Sequence, residues 1–260
     1  MRLSTDEIRF FKDNGYLIKR NVLDPDLCAR ARDRLWEGAP PTRKRDDPDT
    51  WVGPFTPEEE NEDGSNHRKG FRWNFREPGS EDWMIQLLAT DPKVWGMAEQ
   101  FLGKGQVQEP TGIRGIYCTL PYGDAPLKTK ECHTDGHAFH VGAVGLIDTV
   151  PLNGGAFTVW PGSHRRFYFG ADKRYNRSYT PQYDLDRKFF NTQPSVEGYG
   201  QAGDVIFWHH RMGHMAASNG SRQIRQAVLY DFRKLDLEQT QDEKPCADMW
   251  CDWSDEVKDA

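Results

Sequence analysis

His133 and Asp135 stand two apart in the stretch Glu131-Cys132-His133-Thr134-Asp135-Gly136, and His214 and then Arg225 lie far downstream. Two imidazoles and one carboxylate, with one pair close and the third member remote, make the ligand set of a 2-His-1-carboxylate facial triad. Such a triad binds Fe(II) and leaves positions open for oxygen chemistry. None of the other histidines has an acid two positions on, so only His133 can head the pair. The spacing has a structural reason. Residues i and i+2 of a β-strand point to the same side, so at a strand end both side chains can reach one ion.

The remote ligand is selected by its surroundings. After the apolar run Val205-Ile206-Phe207-Trp208 come His209 and His210, then Arg211-Met212-Gly213 as a turn, then His214 opening the next strand. Arg225 favours His214 over its two rivals. A guanidinium grips a carboxylate through two parallel hydrogen bonds, so a metal flanked by it suits a chelating dicarboxylate co-substrate. The competing Arg222, in the turn Asn219-Gly220-Ser221, reads as solvated.

Elements must carry these residues to one place. Ser4-x-x-Glu7 is a capping box for a first helix, stopped by Gly15, and Tyr16-Leu17-Ile18 suits a short strand. Asp24-Pro25 caps and opens a second helix. Helices are also expected over 80–89 and 91–102, and a polar loop, with a lid as one reading, over 39–78. From about residue 111 the texture becomes β-type. Strands are expected over 112–120, 128–135, 139–149, 156–160, 204–209, 213–218 and 224–233. That pattern predicts a mainly β (α+β) fold with a barrel or jelly-roll core. The expected division within one domain is a helical part over 1–105, a core over 106–235 and a polar tail over 236–260, anchored by Trp250 and Trp253.

Several of these segments together resemble the phytanoyl-CoA dioxygenase family of Fe(II)/2-oxoglutarate oxygenases. They are Phe10-Phe11-Lys12-Asp13-Asn14-Gly15-Tyr16-Leu17-Ile18, His133-Thr134-Asp135, Asn153-Gly154-Gly155, Pro161-Gly162-Ser163-His164, and Gly203-Asp204 leading to His209, His214, Asn219 and Arg225. Their order matches over about residues 5–235. The resemblance implies a double-stranded β-helix (jelly roll, cupin-like) with N-terminal and flanking helices. It implies iron on His133, Asp135 and His214, and the distal carboxylate of 2-oxoglutarate on Arg225. Tyr117 and Thr119, on the strand before the His-x-Asp pair, are implied for the co-substrate pocket. O2 would be the second co-substrate. Two departures stand out: Ala216 occupies a position that often carries a small hydroxyl residue, and the stretch 181–195 is an irregular insert rich in Tyr and Phe.

The implied activity is hydroxylation, or a related oxidation such as desaturation, of a small-molecule substrate with release of succinate and CO2. Related halogenases lack the carboxylate ligand, whereas Asp135 is present. Competing readings are an inactive jelly-roll metal-binding scaffold, a zinc isomerase or hydrolase, and a hydroxylase of an acyl-CoA ester. His137 and His140 read as structural or supporting groups, His164 as a turn residue, Arg165-Arg166 as a solvated pair, and Asp204 as a support for the Gly203 turn.

The 260 residues suit one large domain, and the net charge of −6 argues against nucleic acid or an anionic membrane as partner. The five cysteines are scattered without a Cys-x-x-Cys, which predicts reduced thiols rather than a zinc knuckle or a disulfide frame. With no apolar signal core at the N-terminus and no long apolar run, a cytoplasmic location is expected. Oligomeric state is not readable.

Overall fold

The computed structural model describes residues 1–178 and 180–260. The first helix, α1 (Thr5–Asn14), has the expected capping box: Glu7 N–H donates to Ser4 Oγ while the Glu7 carboxylate accepts from the Ser4 N–H. Gly15 ends it in the left-handed region at φ 79°, its N–H donating to the Phe11 carbonyl, and glycine adopts that conformation at no steric cost. Strand β1 (Tyr16–Lys19) follows, then α2 (Pro25–Glu37), capped by Asp24 with Pro25 in its first turn.

The stretch 39–78, expected as a loop, is partly regular. It holds a 3-10 turn at Pro48–Trp51 and a hairpin of β2 (Asn66–Lys69) and β3 (Arg72–Phe75). Each strand is only four residues long. In β3, Trp73 and Phe75 are buried while Arg72 is exposed and Asn74 half-buried. So short an alternation is easily lost in a polar sequence.

Helices α3 (Asp82–Leu88) and α4 (Pro92–Leu102) lead into β4 (Ile116–Thr119), β5 (Val141–Leu146) and β6 (Phe157–Val159). Helices α5 (Ser163–Phe169) and α6 (Pro181–Asn191) come next. Helix α6 corrects the reading of 181–195 as irregular: Thr180 Oγ1 accepts from Tyr183 N–H and Pro181 opens the helix, the same Xaa-Pro signal that was read at α2. Strands β7 (Val196–Glu197), β8 (Val205–His209), β9 (His214–Ala216) and β10 (Arg225–Phe232) complete the core. Two short helices, α7 (Leu237–Thr240) and α8 (Asp255–Asp259), lie in the tail. The expected strand over 128–135 does not form. What remains of it is one antiparallel bridge, His133 to His214.

The strands make two antiparallel sheets. The larger runs β1-β8-β5-β10-β4-β3-β2 and the smaller β7-β6-β9. Alternation sorts the large sheet into two faces. Tyr16, Val144, Leu146, Ile206, Trp208, Ala227 and Leu229 pack with Phe157 and Val159 of the small sheet. Leu17, Ala143, Phe207, Val228, Trp73 and Phe75 pack on the opposite side among residues of α1 to α4. The result is the expected jelly roll, with its inner face between the sheets and its outer face under helices. Gly142 on β5 shows how tightly the inner layer closes, since a Cβ there would lie 2.0 Å from the Trp208 ring.

The tail is anchored as expected. Trp253 packs on Phe11 and Phe101, with ring centroids 5.7 and 6.3 Å apart. Cys246 and Cys251 are joined by a disulfide, against the expectation of reduced thiols throughout, while Cys28, Cys118 and Cys132 are free and buried. A local turn beside the anchored Trp250 brings the pair together, which their spacing does not reveal. Among the described residues no helix is long and apolar enough to cross a membrane.

Four histidines are buried against the tail and its neighbours: His140, His164, His209 and His210. His209 stacks on Trp253 at 5.2 Å and His210 lies 4.5 Å from the Tyr175 ring. Burial pushes His164 down from 6.5 to about 4 and the other three well below the usual imidazole range. Their folded values lie below their unfolded ones. Their contribution is therefore complete above pH 6.5 and is lost as pH falls, because only the unfolded chain takes up the protons. For His164 alone the shift from 6.5 to about 4 is worth about 3 kcal/mol. We expect the urea midpoint to fall steeply between pH 7 and about 5. A flat profile over that window would show these rings to be hydrated.

Candidate metal centre

His214 opens β9, and the chain at His133 lies beside it. His133 N–H donates to the His214 carbonyl at 3.2 Å and His214 N–H to the His133 carbonyl at 2.8 Å, so the two backbones are locked as one pair. Their rings are 4.7 Å apart between centroids. His214 Nδ1 lies 2.9 Å from the Met212 carbonyl, which fixes the ring and leaves Nε2, 3.7 Å from Asp135 Oδ2. The fold thus sets His133 against His214, and His214 Nε2 near Asp135, although a bridge and not a strand carries His133 and Asp135.

Helix α6 holds that irregular segment. Asn191 Oδ1 accepts from Cys132 N–H at 2.7 Å, Arg187 Nε donates to the Cys132 carbonyl at 3.0 Å, and the Tyr183 hydroxyl accepts from Thr134 N–H at 3.3 Å. Sequence reasoning missed these three. The Thr180-Pro181 cap signal would have found the helix, but nothing local says what its polar face grips.

Burial, followed by the neighbouring His214, pushes His133 down to about 4, so it stands as a neutral imidazole, the form that ligates a metal. Burial alone would raise the Asp135 carboxyl. His214, Arg114, His137 and His133 together outweigh it and hold the group below the usual carboxylate range. A neutral imidazole at His133 and an ionised carboxylate at Asp135, beside the His214 ring, fit a divalent cation.

Arg225 heads β10 and lies directly across from Thr119 of β4. Its side chain is buried, Nη1 donates to the Tyr117 carbonyl at 3.2 Å, and Nε has no partner among the described residues. Burial lowers its pKa to about 10. No acid pairs with it among the described residues. An uncompensated buried charge is costly, and the natural remedy is an anionic ligand. Tyr117 and Thr119 therefore do lie beside Arg225, Tyr117 through its main chain. The Tyr117 phenol accepts instead from Arg76 Nε at 3.2 Å.

Across the sheet the same rung continues to Arg72 of β3, opposite Thr119. Arg72 is exposed, pairs with no acid among the described residues, and its charge bears on His133. Nothing in the sequence singles it out, because a hairpin this short and polar has the texture of a loop. The exposed Ala216 makes no polar side-chain contribution here.

The rival groups resolve as follows. His209 packs on Trp250 and Trp253 of the tail, and His210 on Tyr168 and Tyr175. Arg222 is exposed and pairs with Asp49 at 3.0 Å. His164 Nε2 lies 3.0 Å from the Lys12 carbonyl, tying α5 to α1. Arg165 and Arg166 pair with Asp13 and Asp186, each at 2.8 Å. Asp204 takes the Gln201 N–H and Arg20, and so ties the Gly203 turn to the end of β1.

A second cluster offers ligand atoms: Asp135, His137 and Asp231, all within 4.8 Å of one another. A cation already stands among them. Arg114 Nη2 lies 2.6 Å from Asp231 Oδ2, 2.7 Å from His137 Nε2 and 3.4 Å from Asp135 Oδ2. A metal there would have to displace this guanidinium, so the cluster reads as an ion-pair network that steadies Asp135.

The family model for phytanoyl-CoA dioxygenase matches residues 11–227. No curated protein matches the sequence. Among solved structures, the non-heme alpha ketoglutarate dependent carbocyclase SnoK from nogalamycin biosynthesis is 19% identical with a TM-score of 0.57, covering 95% of each chain. EctD from S. alaskensis with 2-oxoglutarate and 5-hydroxyectoine is 16% identical with a TM-score of 0.58, covering 94% of this chain and 79% of that one. The epimerase SnoN in complex with Fe3+, alpha ketoglutarate and nogalamycin RO is 18% identical with a TM-score of 0.54, covering 94% and 96%. At these identities the structural likeness speaks for the fold.

Proposed function

The chain belongs to the phytanoyl-CoA dioxygenase family, and we propose that it oxidises a small molecule, by hydroxylation or a related C–H oxidation, with release of succinate and CO2. The class is that of non-haem Fe(II)/2-oxoglutarate-dependent dioxygenases, using O2. His133, Asp135 and His214 would hold the iron, and Arg225 would receive the distal carboxylate of 2-oxoglutarate. Iron with 2-oxoglutarate and O2 bound supplies the oxidising power for the C–H bond.

The protein supplies geometry and exclusion of water. The His133–His214 backbone pair sets the separation of two ligands, and the Met212 carbonyl orients the His214 ring. Arg114 holds the Asp135 carboxylate from behind. Arg225 and Arg72 face the same inner rung from either side of Thr119, which suits a co-substrate with an anionic group at each end. The apolar layer of Leu146, Ala227 and Phe157 keeps the floor dry. The observation that carries this reading is the buried, unpaired Arg225 on the face occupied by the triad. A cytoplasmic location is part of the proposal: three of the five cysteines are free and buried, and the one disulfide joins positions only five apart.

The test is an anaerobic titration of Fe(II)-loaded protein with 2-oxoglutarate, followed by visible absorption. A weak charge-transfer band that saturates with ligand is expected. Iron binding without a band, or no iron binding, would overturn the reading.

A further inference from the structure

Arg114 is a partition. On one side it meets Asp135. On the other it walls a cleft of about 240 Å³ together with Asp231, Glu109, Tyr230 and Arg233. Asp231 is only 7% exposed, and its two oxygens are used unequally. Oδ2 accepts from Arg114 Nε at 2.7 Å and lies 2.9 Å from His137 Nε2, whereas Oδ1 is buried with no partner among the described residues. Leaving a buried acceptor unsatisfied is costly, more so when it is charged, so a donor is missing from this wall. Arg233 is exposed at the cleft and forms no ion pair or side-chain hydrogen bond among the described residues, and neither does Glu109. Asp231 and Arg233 lie two apart at the end of an extended strand, which separates their backbones by about 6.6 Å. The cleft wall therefore holds an unsatisfied anionic acceptor just beneath its surface and a free cation at its mouth, close together and one guanidinium away from Asp135.

Building on the proposed oxygenase reading, we propose that this cleft recognises the substrate and that the substrate is a small zwitterion of the amino-acid type. Its ammonium donates to Asp231 Oδ1 and its carboxylate pairs with Arg233. The rest of the molecule then extends past Arg114, which both lines the cleft and touches Asp135, toward the metal centre. Cationic amines and simple acids each satisfy only half of the site.

The test uses Fe(II)- and 2-oxoglutarate-loaded protein under anaerobic conditions. The twenty standard L-amino acids are added one at a time, and melting temperature and the charge-transfer band are read. At least one should raise the melting temperature and perturb the band. Its N-acetyl and carboxamide derivatives should each bind at least about tenfold more weakly, the loss expected for one charged contact. Arg233→Gln should weaken the amino acid and leave its carboxamide unchanged, and Asp231→Asn should weaken the amino acid and leave its N-acetyl form unchanged. A band that no amino acid moves overturns the zwitterion proposal, as does equal binding of the derivatives. A missing band would instead count against the iron and 2-oxoglutarate reading, so the two failures are distinguishable.

Discussion

His214→Ala protein is expected to lose tight Fe(II) binding and to oxidise substrate on the order of 10³-fold more slowly or worse, because a metal ligand supports several kcal/mol of transition-state stabilisation. His137→Ala should keep its iron. The contrast matters because the fold offers Asp135 to two sets of partners. One is His133 with His214, whose Nε2 lies 3.7 Å from the Asp135 carboxylate. The other is His137 with Asp231, where Arg114 already sits 2.6 Å from Asp231 Oδ2. If the metal belonged to the second set, His137→Ala would release it and His214→Ala would not. Iron content after gel filtration, together with the 2-oxoglutarate band, decides between them. Folding is a separate matter and is checked by circular dichroism, since the His133–His214 hydrogen bonds are main-chain and survive the substitution.

Why these ligands could be read from the chain, and their supports could not, follows from the range of the forces involved. His133 and Asp135 are neighbours in sequence, and the run Val205-Ile206-Phe207-Trp208 before His214 is a strand buried on both faces, so its signal is strong. Arg225 stands at the head of the longest strand, β10. The capping boxes and Xaa-Pro starts are equally local. By contrast, β2 and β3 are strands of four residues whose inner positions are polar because they line a wet mouth, so the alternation reads as a charged loop. Arg72, the first residue of β3, is hidden by the same texture. The 128–135 segment has strand-like residues but no free ladder to join, since β9 is only three residues long and pairs with β6. What fixes it instead is Asn191, Arg187 and Tyr183 of α6, contacts between positions some fifty residues apart. Such side-chain contacts have no sequence period. The Cys246–Cys251 link escaped for a similar reason, as its geometry is set by the packing of Trp250 and Trp253.

Arg225→Met is expected to have opposite effects with and without co-substrate. The wild-type guanidinium is 4% exposed and, among the described residues, lacks an acid partner and leaves Nε unsatisfied. Replacing it with an apolar side chain of similar length removes a desolvated charge, and such replacements are commonly neutral or stabilising by about 1–4 kcal/mol. The protein without 2-oxoglutarate should therefore unfold at the same or a higher temperature than wild type. With 2-oxoglutarate the order should invert. At a hundredfold excess over its dissociation constant the ligand stabilises wild type by about 2.7 kcal/mol, and the variant should gain almost nothing. Removing one member of a buried charge pair across an interface costs roughly 2–5 kcal/mol, so the affinity for 2-oxoglutarate should fall by about 30-fold to several thousandfold. Arg225→Lys should recover only part of that loss, because an ammonium cannot make the two parallel hydrogen bonds of a guanidinium. Arg225→Met protein that melts well below wild type without ligand, or that still gains stability from 2-oxoglutarate, would show that the guanidinium has a structural counter-charge and that the co-substrate is held elsewhere on the inner face.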